Sequence, residues 1–159
     1  MDYIGSLFKR LWNALATLKF WTEGLIVFIL GGLGIWWPLF FNWKGYENFF
    51  YPEPWFTYGL ATLMVILGQR LFMKEEDDTY IMPNRLILFV LVLTGSLMYG
   101  KSVKQYFEFV ADGKHKTVFD YSLTRYGMFT TLFAWIIHVV GDNKFDSKDA
   151  SNALGGKVK

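Results

Sequence analysis

Few side chains in this sequence are suited to catalysis or metal binding. Its 159 residues include no cysteine and two histidines, His115 and His138. Thiolate nucleophiles, cysteine zinc sites and iron–sulfur clusters are therefore excluded, and a multi-histidine metal or haem site within one chain is not expected. The usual phosphate-loop, dinucleotide-binding, zinc-protease and nucleophile-elbow motifs do not occur. We expect neither enzymatic activity nor a bound metal or cofactor.

His138 lies within an apolar segment, LFAWIIHVV. A charged imidazole is costly in hydrocarbon, so a histidine at membrane depth is a candidate for function. Its place near the end of the segment favours a simpler interpretation. In that interpretation the imidazole is neutral and bonds a carbonyl, or it reaches the membrane–water interface.

Small and hydroxylated residues recur at steps of three and four in the apolar segments, which places them on one face of each helix. In lipid such residues let helix backbones approach, and their hydroxyls bond across the gap. We predict that they pack helices within one bundle; the alternatives are a contact between copies and the lining of a pore. The candidates are Gly31, Gly34, Gly59, Thr62, Thr124, Gly127, Thr131, Ala134 and His138.

Charged residues lie between the apolar segments, and they nearly cancel to a net charge of +2. Direct binding of nucleic acid is not indicated by this balance. The acidic run at positions 75–78 is interpreted as a solvated turn, with a divalent cation or a basic partner as alternatives. Basic side chains in the first helix, at the end of the second span and just after it are candidates for binding anionic lipid headgroups or another anionic ligand, and lipid is favoured. These are Lys9, Arg10, Lys19, Arg70 and Lys74.

The elements that carry these residues follow from composition. The chain is 53% hydrophobic, 20% aromatic and 19% charged, with its apolar residues in long blocks. We predict an all-α membrane protein in which an amphipathic interfacial helix, residues 1–20, precedes a four-helix transmembrane bundle. The predicted spans are 21–43, 55–73, 83–109 and 121–140, with a possible kink at Pro38, and residues 141–159 are expected to form a mobile polar tail.

The amphipathic helix is predicted from apolar residues at steps of three and four between Ile4 and Leu18, with Lys9, Arg10 and Asn13 on the other side. A basic face opposite a Trp, Phe and Leu face is typical of a helix in the headgroup plane. The alternative is a helix packed against a partner or against the rest of the chain.

Four spans place both termini on one side of the membrane, and the distribution of Lys and Arg favours the cytoplasm of a bacterial inner membrane. We expect an oligomeric, channel-like or membrane-perturbing effector or sensor module. The alternative is an accessory, immunity or regulatory subunit that binds another membrane protein, and a small transporter is less favoured because paired broken helices are missing. The expected partners are the lipid bilayer and either further copies of the chain or a membrane or cytoplasmic protein.

Overall fold

The computed structural model describes residues 3–41, 48–72, 80–113 and 119–141, and all regular secondary structure within them is helical. The prediction of an all-α fold is confirmed for these residues. The predicted tail after Gly141, the acidic run at 75–78, Lys74 and His115 lie outside the described residues. The elements are α1 (Tyr3–Leu15), α2 (Leu18–Gly24), a π-helix (Leu25–Leu30), α3 (Leu33–Phe40), α4 (Pro52–Phe72), α5 (Ile81–Ala111) and α6 (Ser122–Val140).

Two helices, α5 and α6, are long and apolar enough to cross a bilayer. At about 1.5 Å per residue their lengths are roughly 46 and 28 Å, against a hydrocarbon thickness of about 30 Å. They cover the predicted spans 83–109 and 121–140. A third span is obtained when α1 and the continuous Leu18–Leu30 segment, which are bent by 88°, are counted as one. Helix α4 carries Gln69 and Arg70 in its last turn, which lowers its apolar content.

The first apolar block is not the single helix predicted for 21–43. It divides into α2, the π-helix and α3, with a turn at Gly31 and Gly32. The indole Nε1 of Trp36 donates to the carbonyl oxygen of Phe28 across this turn, at 3.1 Å. A side chain therefore hydrogen-bonds to a backbone carbonyl next to the break. Pro38 lies inside α3, two residues before the helix ends.

Helices α4, α5 and α6 form the main core, and the segment from α2 to α3 follows its outside. Phe28 packs on Trp135 of α6 at a ring distance of 5.1 Å. Trp36 packs on Phe49, immediately before α4, at 4.7 Å. Since Trp135 lies toward the end of α6 and Phe49 precedes the start of α4, the segment runs from one end of the bundle to the other.

Helix α1 ends at Leu15, earlier than the predicted boundary, because the chain turns and Thr17 begins α2. The side-chain oxygen of Thr17 accepts from the Phe20 amide at 3.4 Å, and its backbone is extended. This N-cap supplies one of the first-turn amides of α2 with a partner. Between α1 and the continuous Leu18–Leu30 segment the helix direction changes by 88°.

Candidate functional site

The small-residue face of α6 is turned into the bundle. Thr124, Gly127, Thr131 and Ala134 are all buried. The hydroxyl of Thr131 donates to the Gly127 carbonyl at 3.0 Å within its own helix. It can then accept from the Tyr99 hydroxyl of α5, whose oxygen lies 3.0 Å away. The predicted face is thus a contact between α6 and α5 of the same chain.

Tyr99 occupies the place where three helices come closest. Its side chain is fully buried between Gly59 of α4 and Gly127 of α6. A Cβ atom built on Gly59 would lie 2.3 Å from the ring, and one built on Gly127 would lie 2.7 Å from it. Both distances are shorter than van der Waals contact allows, so each glycine is required by the phenol ring that faces it.

One further hydroxyl pair joins α5 and α6 nearer the start of α6. The Oγ of Ser102 and the Oγ1 of Thr124 are 2.7 Å apart, and both side chains are buried. Sequence reasoning did not identify Tyr99 or Ser102. The spacing of residues in α5 could have identified them. A buried face of this helix contains residues at steps of four and three, namely Gly95, Tyr99, Ser102 and Tyr106.

Three predicted packing residues lie apart from this contact. Gly31 is exposed beside Tyr58, whose ring would meet its Cβ at 3.2 Å. Gly34 is exposed, and its Cβ would meet nothing within 4 Å. Thr62 is half-buried and donates to the Tyr58 carbonyl of its own helix at 2.9 Å. The first apolar block therefore does not share in the contact among α4, α5 and α6.

The carboxyl end of α6 is the most polar buried place among the described residues. We call it the polar junction and define it as Tyr3, Arg10, Arg70, Asn84 and His138 around the Gly141 carbonyl. Arg10 Nη1 and Asn84 Nδ2 donate to that carbonyl at 3.4 and 3.2 Å. Arg70 donates from Nε to His138 Nδ1 at 3.1 Å and from Nη2 to the His138 carbonyl. The Tyr3 hydroxyl donates to Asn84 Oδ1, which ties α1 to the start of α5.

Helix physics explains why cations gather there. The last carbonyls of a helix have no partner within it and carry partial negative charge, which favours Arg or Lys nearby. Arg10 and Arg70 are 3% and 6% exposed, so hydrogen bonds to these carbonyls offset part of the cost of burying two charges. One donor each from α1, α4 and α5 thereby meets the end of α6.

His138 is held at the end of α6 through its ring and its backbone. The ring Nδ1 accepts from Arg70 Nε at 3.1 Å, and the backbone carbonyl accepts from Arg70 Nη2. The contact fixes the end of α4 to the end of α6.

The predicted headgroup-binding residues do not form one surface. Arg10 and Arg70 point inward to the polar junction and are almost fully buried. Lys9 is exposed, and Lys19 is half-buried with its Nζ 3.8 Å from Glu23. Helical periodicity defines two faces of α1, but it does not say which face meets protein.

No group of three or more potential metal ligands is found among the described residues. Comparison with protein-family models, with curated proteins and with solved structures gave no match.

Proposed function

We propose that this chain is a non-enzymatic, four-span protein of a bacterial inner membrane that acts as an accessory or regulatory subunit of another membrane protein. One observation carries the proposal. Three of the residues that would line a pore or join copies, Gly59, Gly127 and Thr131, are used inside a single chain, around Tyr99. The side chains left at the bundle surface are mainly apolar, as expected where a helix meets lipid or another membrane helix.

Two features support four spans. Helix α4 has 21 residues, about 31 Å, and packs against both α5 and α6. The segment from α2 to α3 follows the whole bundle despite its turn, from Trp135 to Phe49. A discontinuous helix is tolerated at membrane depth where neighbouring groups hydrogen-bond to the backbone atoms that the break leaves without partners.

The charge distribution supports cytoplasmic termini. The described basic residues at the end of the bundle that carries α1 are Lys9, Arg10, Lys19, Arg70 and Arg85, and those toward the other end are Lys101, Lys104 and Arg125. An excess of Lys and Arg is typical of the cytoplasmic side. With an even number of spans, both termini lie on that side.

An oligomeric, channel-like effector is the alternative, and one observation favours it. The π-helix has no buried residue, and Gly34 beyond it meets no neighbour within 4 Å of a built Cβ. Close approach of a second copy at this segment would cover the π-helix and Gly34. A pore would then form between copies, away from the filled contact around Tyr99.

Two measurements on the purified full chain separate the proposals. Light scattering in detergent gives the number of copies, and dye or ion release from proteoliposomes reports a pore. An accessory subunit is expected to contain few copies of the chain and to release neither dye nor ions from the vesicles. A defined higher oligomer that releases dye would refute the proposal and support the channel-like alternative.

The partner is located by photo-crosslinking in cells. A photoreactive amino acid replaces the exposed Leu93 of α5, Phe129 of α6 or Leu30 of the π-helix, one at a time, with the buried Leu88 as the matched control. We expect one membrane protein to crosslink saturably from one or two of the exposed positions and not from Leu88. Crosslinks to further copies of the chain alone would contradict the accessory role.

A further inference from the structure

Helix α1 has its polar face on the protein and its apolar face exposed. Arg10, Asn13 and Ser6 are buried toward the bundle. On the opposite side Phe8 and Trp12 are 69% and 71% exposed, together with Ile4 and Leu15. A peripheral amphipathic helix normally gives its polar face to water. Here that face is taken up by the polar junction, so the apolar face is fixed outward.

The outer face of α1 lies at the level where the spans end. The hydrogen bonds of α1 reach Gly141 after α6 and Asn84 in the first turn of α5. At the same end, large apolar side chains of the neighbouring helices are exposed, namely Phe72, Met82 and Leu86. The apolar face of α1 therefore continues the lipid-facing surface of the bundle around its end.

We infer that the outer face of α1 is a lipid-docking surface that inserts into the headgroup–acyl boundary of one leaflet as a fixed wedge. Continuity with the lipid-facing surface identifies the occupant as the bilayer. Trp12 and Trp21 are both exposed at this end, and tryptophan is enriched at that depth. The exposed Lys9 beside Phe8 is placed for a lipid phosphate.

A wedge in one leaflet has a further consequence for the bilayer. The bend of 88° sets α1 across the direction of the following segment, so the helix displaces headgroups without crossing the hydrocarbon. Helices of this kind bind best where lipid packing is loose or the leaflet is curved. The chain is therefore expected to prefer highly curved membranes, independently of any accessory role.

The depth of α1 is measured directly, because the chain has no cysteine to remove. Single variants Phe8→Cys and Trp12→Cys carry a nitroxide label in proteoliposomes, and Lys104→Cys serves as a control at an exposed charged residue. At positions 8 and 12 we expect oxygen, which concentrates in lipid, to relax the label more than a water-soluble nickel chelate does. The reverse order is expected at position 104.

Two outcomes would overturn the docking surface. Stronger relaxation by the nickel chelate at positions 8 and 12 would place α1 in water. Dipolar broadening between labels, removed by dilution with unlabelled protein, would show that a second copy covers the face.

Curvature preference is tested by reconstituting the full chain into mixed small and large vesicles and comparing protein per lipid. The wild type is expected to enrich in the small vesicles, and the double variant Phe8→Ser with Trp12→Ser is expected to lose that enrichment. Phe107→Ser, an exposed phenylalanine of α5, is the matched control and should retain it. Equal partition of the wild type would refute the wedge. Equal thermal stability of the variants excludes loss of folding as the cause.

Discussion

Replacing Gly59 by alanine tests whether the close contact at Tyr99 holds the three core helices together. The added Cβ would lie 2.3 Å from Tyr99 Cε2, and the ring is fully buried between two helices. The ring therefore has to shift, or α4 has to move outward. Overpacking of this kind costs about 1–3 kcal/mol, while alanine in a helix gains up to about 1 kcal/mol over glycine. With the full gain from alanine, we expect a net loss of up to about 2 kcal/mol in the free energy of unfolding.

The chain supplies matched controls for this substitution. Gly68 of α4 and Gly100 of α5 are also helical, and a Cβ at either would meet nothing within 4 Å. Gly68→Ala and Gly100→Ala should therefore be neutral or slightly stabilising. The assay is unfolding by SDS titration in mixed micelles, followed by circular dichroism.

A double variant identifies the ring as the cause. Tyr99→Leu removes the atoms that clash, so adding it to Gly59→Ala should cost less than the sum of the two single changes. If Gly59→Ala is no more destabilising than Gly68→Ala, the argument from close packing at Tyr99 is wrong.

Three further predictions concern the hydroxyl pairs, the polar junction and Tyr121, the residue immediately before α6. Ser102→Ala removes the bond to Thr124, and Thr131→Val removes the bonds to Tyr99 and to the Gly127 carbonyl. Each lost bond should lower the free energy of unfolding by about 0.5–1.5 kcal/mol in the same SDS assay; no change would show that these bonds do not stabilise the bundle. Arg10→Ala removes a donor from the Gly141 carbonyl, so hydrogen exchange of the α1 amides should quicken more than that of α6; equal protection in wild type and variant would contradict the role of Arg10 in holding α1. Burial raises the pKa of Tyr121 from 10.0 to about 12, so the neutral phenol is favoured in the fold and its contribution to stability is lost as pH rises from about 10 through 12. Tyr121→Phe should flatten this part of the stability–pH curve, and an unchanged slope would refute the assignment.

The α6 part of the candidate site was predictable because its side-chain spacing has a direct geometric meaning. Thr124, Gly127, Thr131 and Ala134 share a face by helical periodicity, and the structure buries all four. The partner ring was not predicted, since nothing in the spacing on α6 says that a large aromatic side chain of α5 fills the gap. Small residues predict that another helix approaches closely, but they do not identify the residue of that helix which fills the space.

The break in the first apolar block was harder to anticipate. Hydropathy treats 24–41 as uniform, whereas the backbone turns at Gly31 and Gly32, and Trp36 takes up the Phe28 carbonyl. The hydrogen bond to that carbonyl comes from a side chain four residues beyond the turn. Pro38, the predicted site of a kink, instead lies within the short helix that follows.

The orientation of α1 follows from the end of α6 more than from its own sequence. Periodicity gives α1 a polar and an apolar face, and either face could in principle meet the bundle. The last carbonyls of α6, which have no partner within their own helix, decide which face of α1 meets the bundle. They require hydrogen-bond donors and favour positive charge nearby. Arg10 meets that requirement at Gly141, together with Asn84. Once the polar face is held there, Phe8 and Trp12 have to point away from the protein, which is the arrangement that the proposed lipid-docking surface of α1 requires.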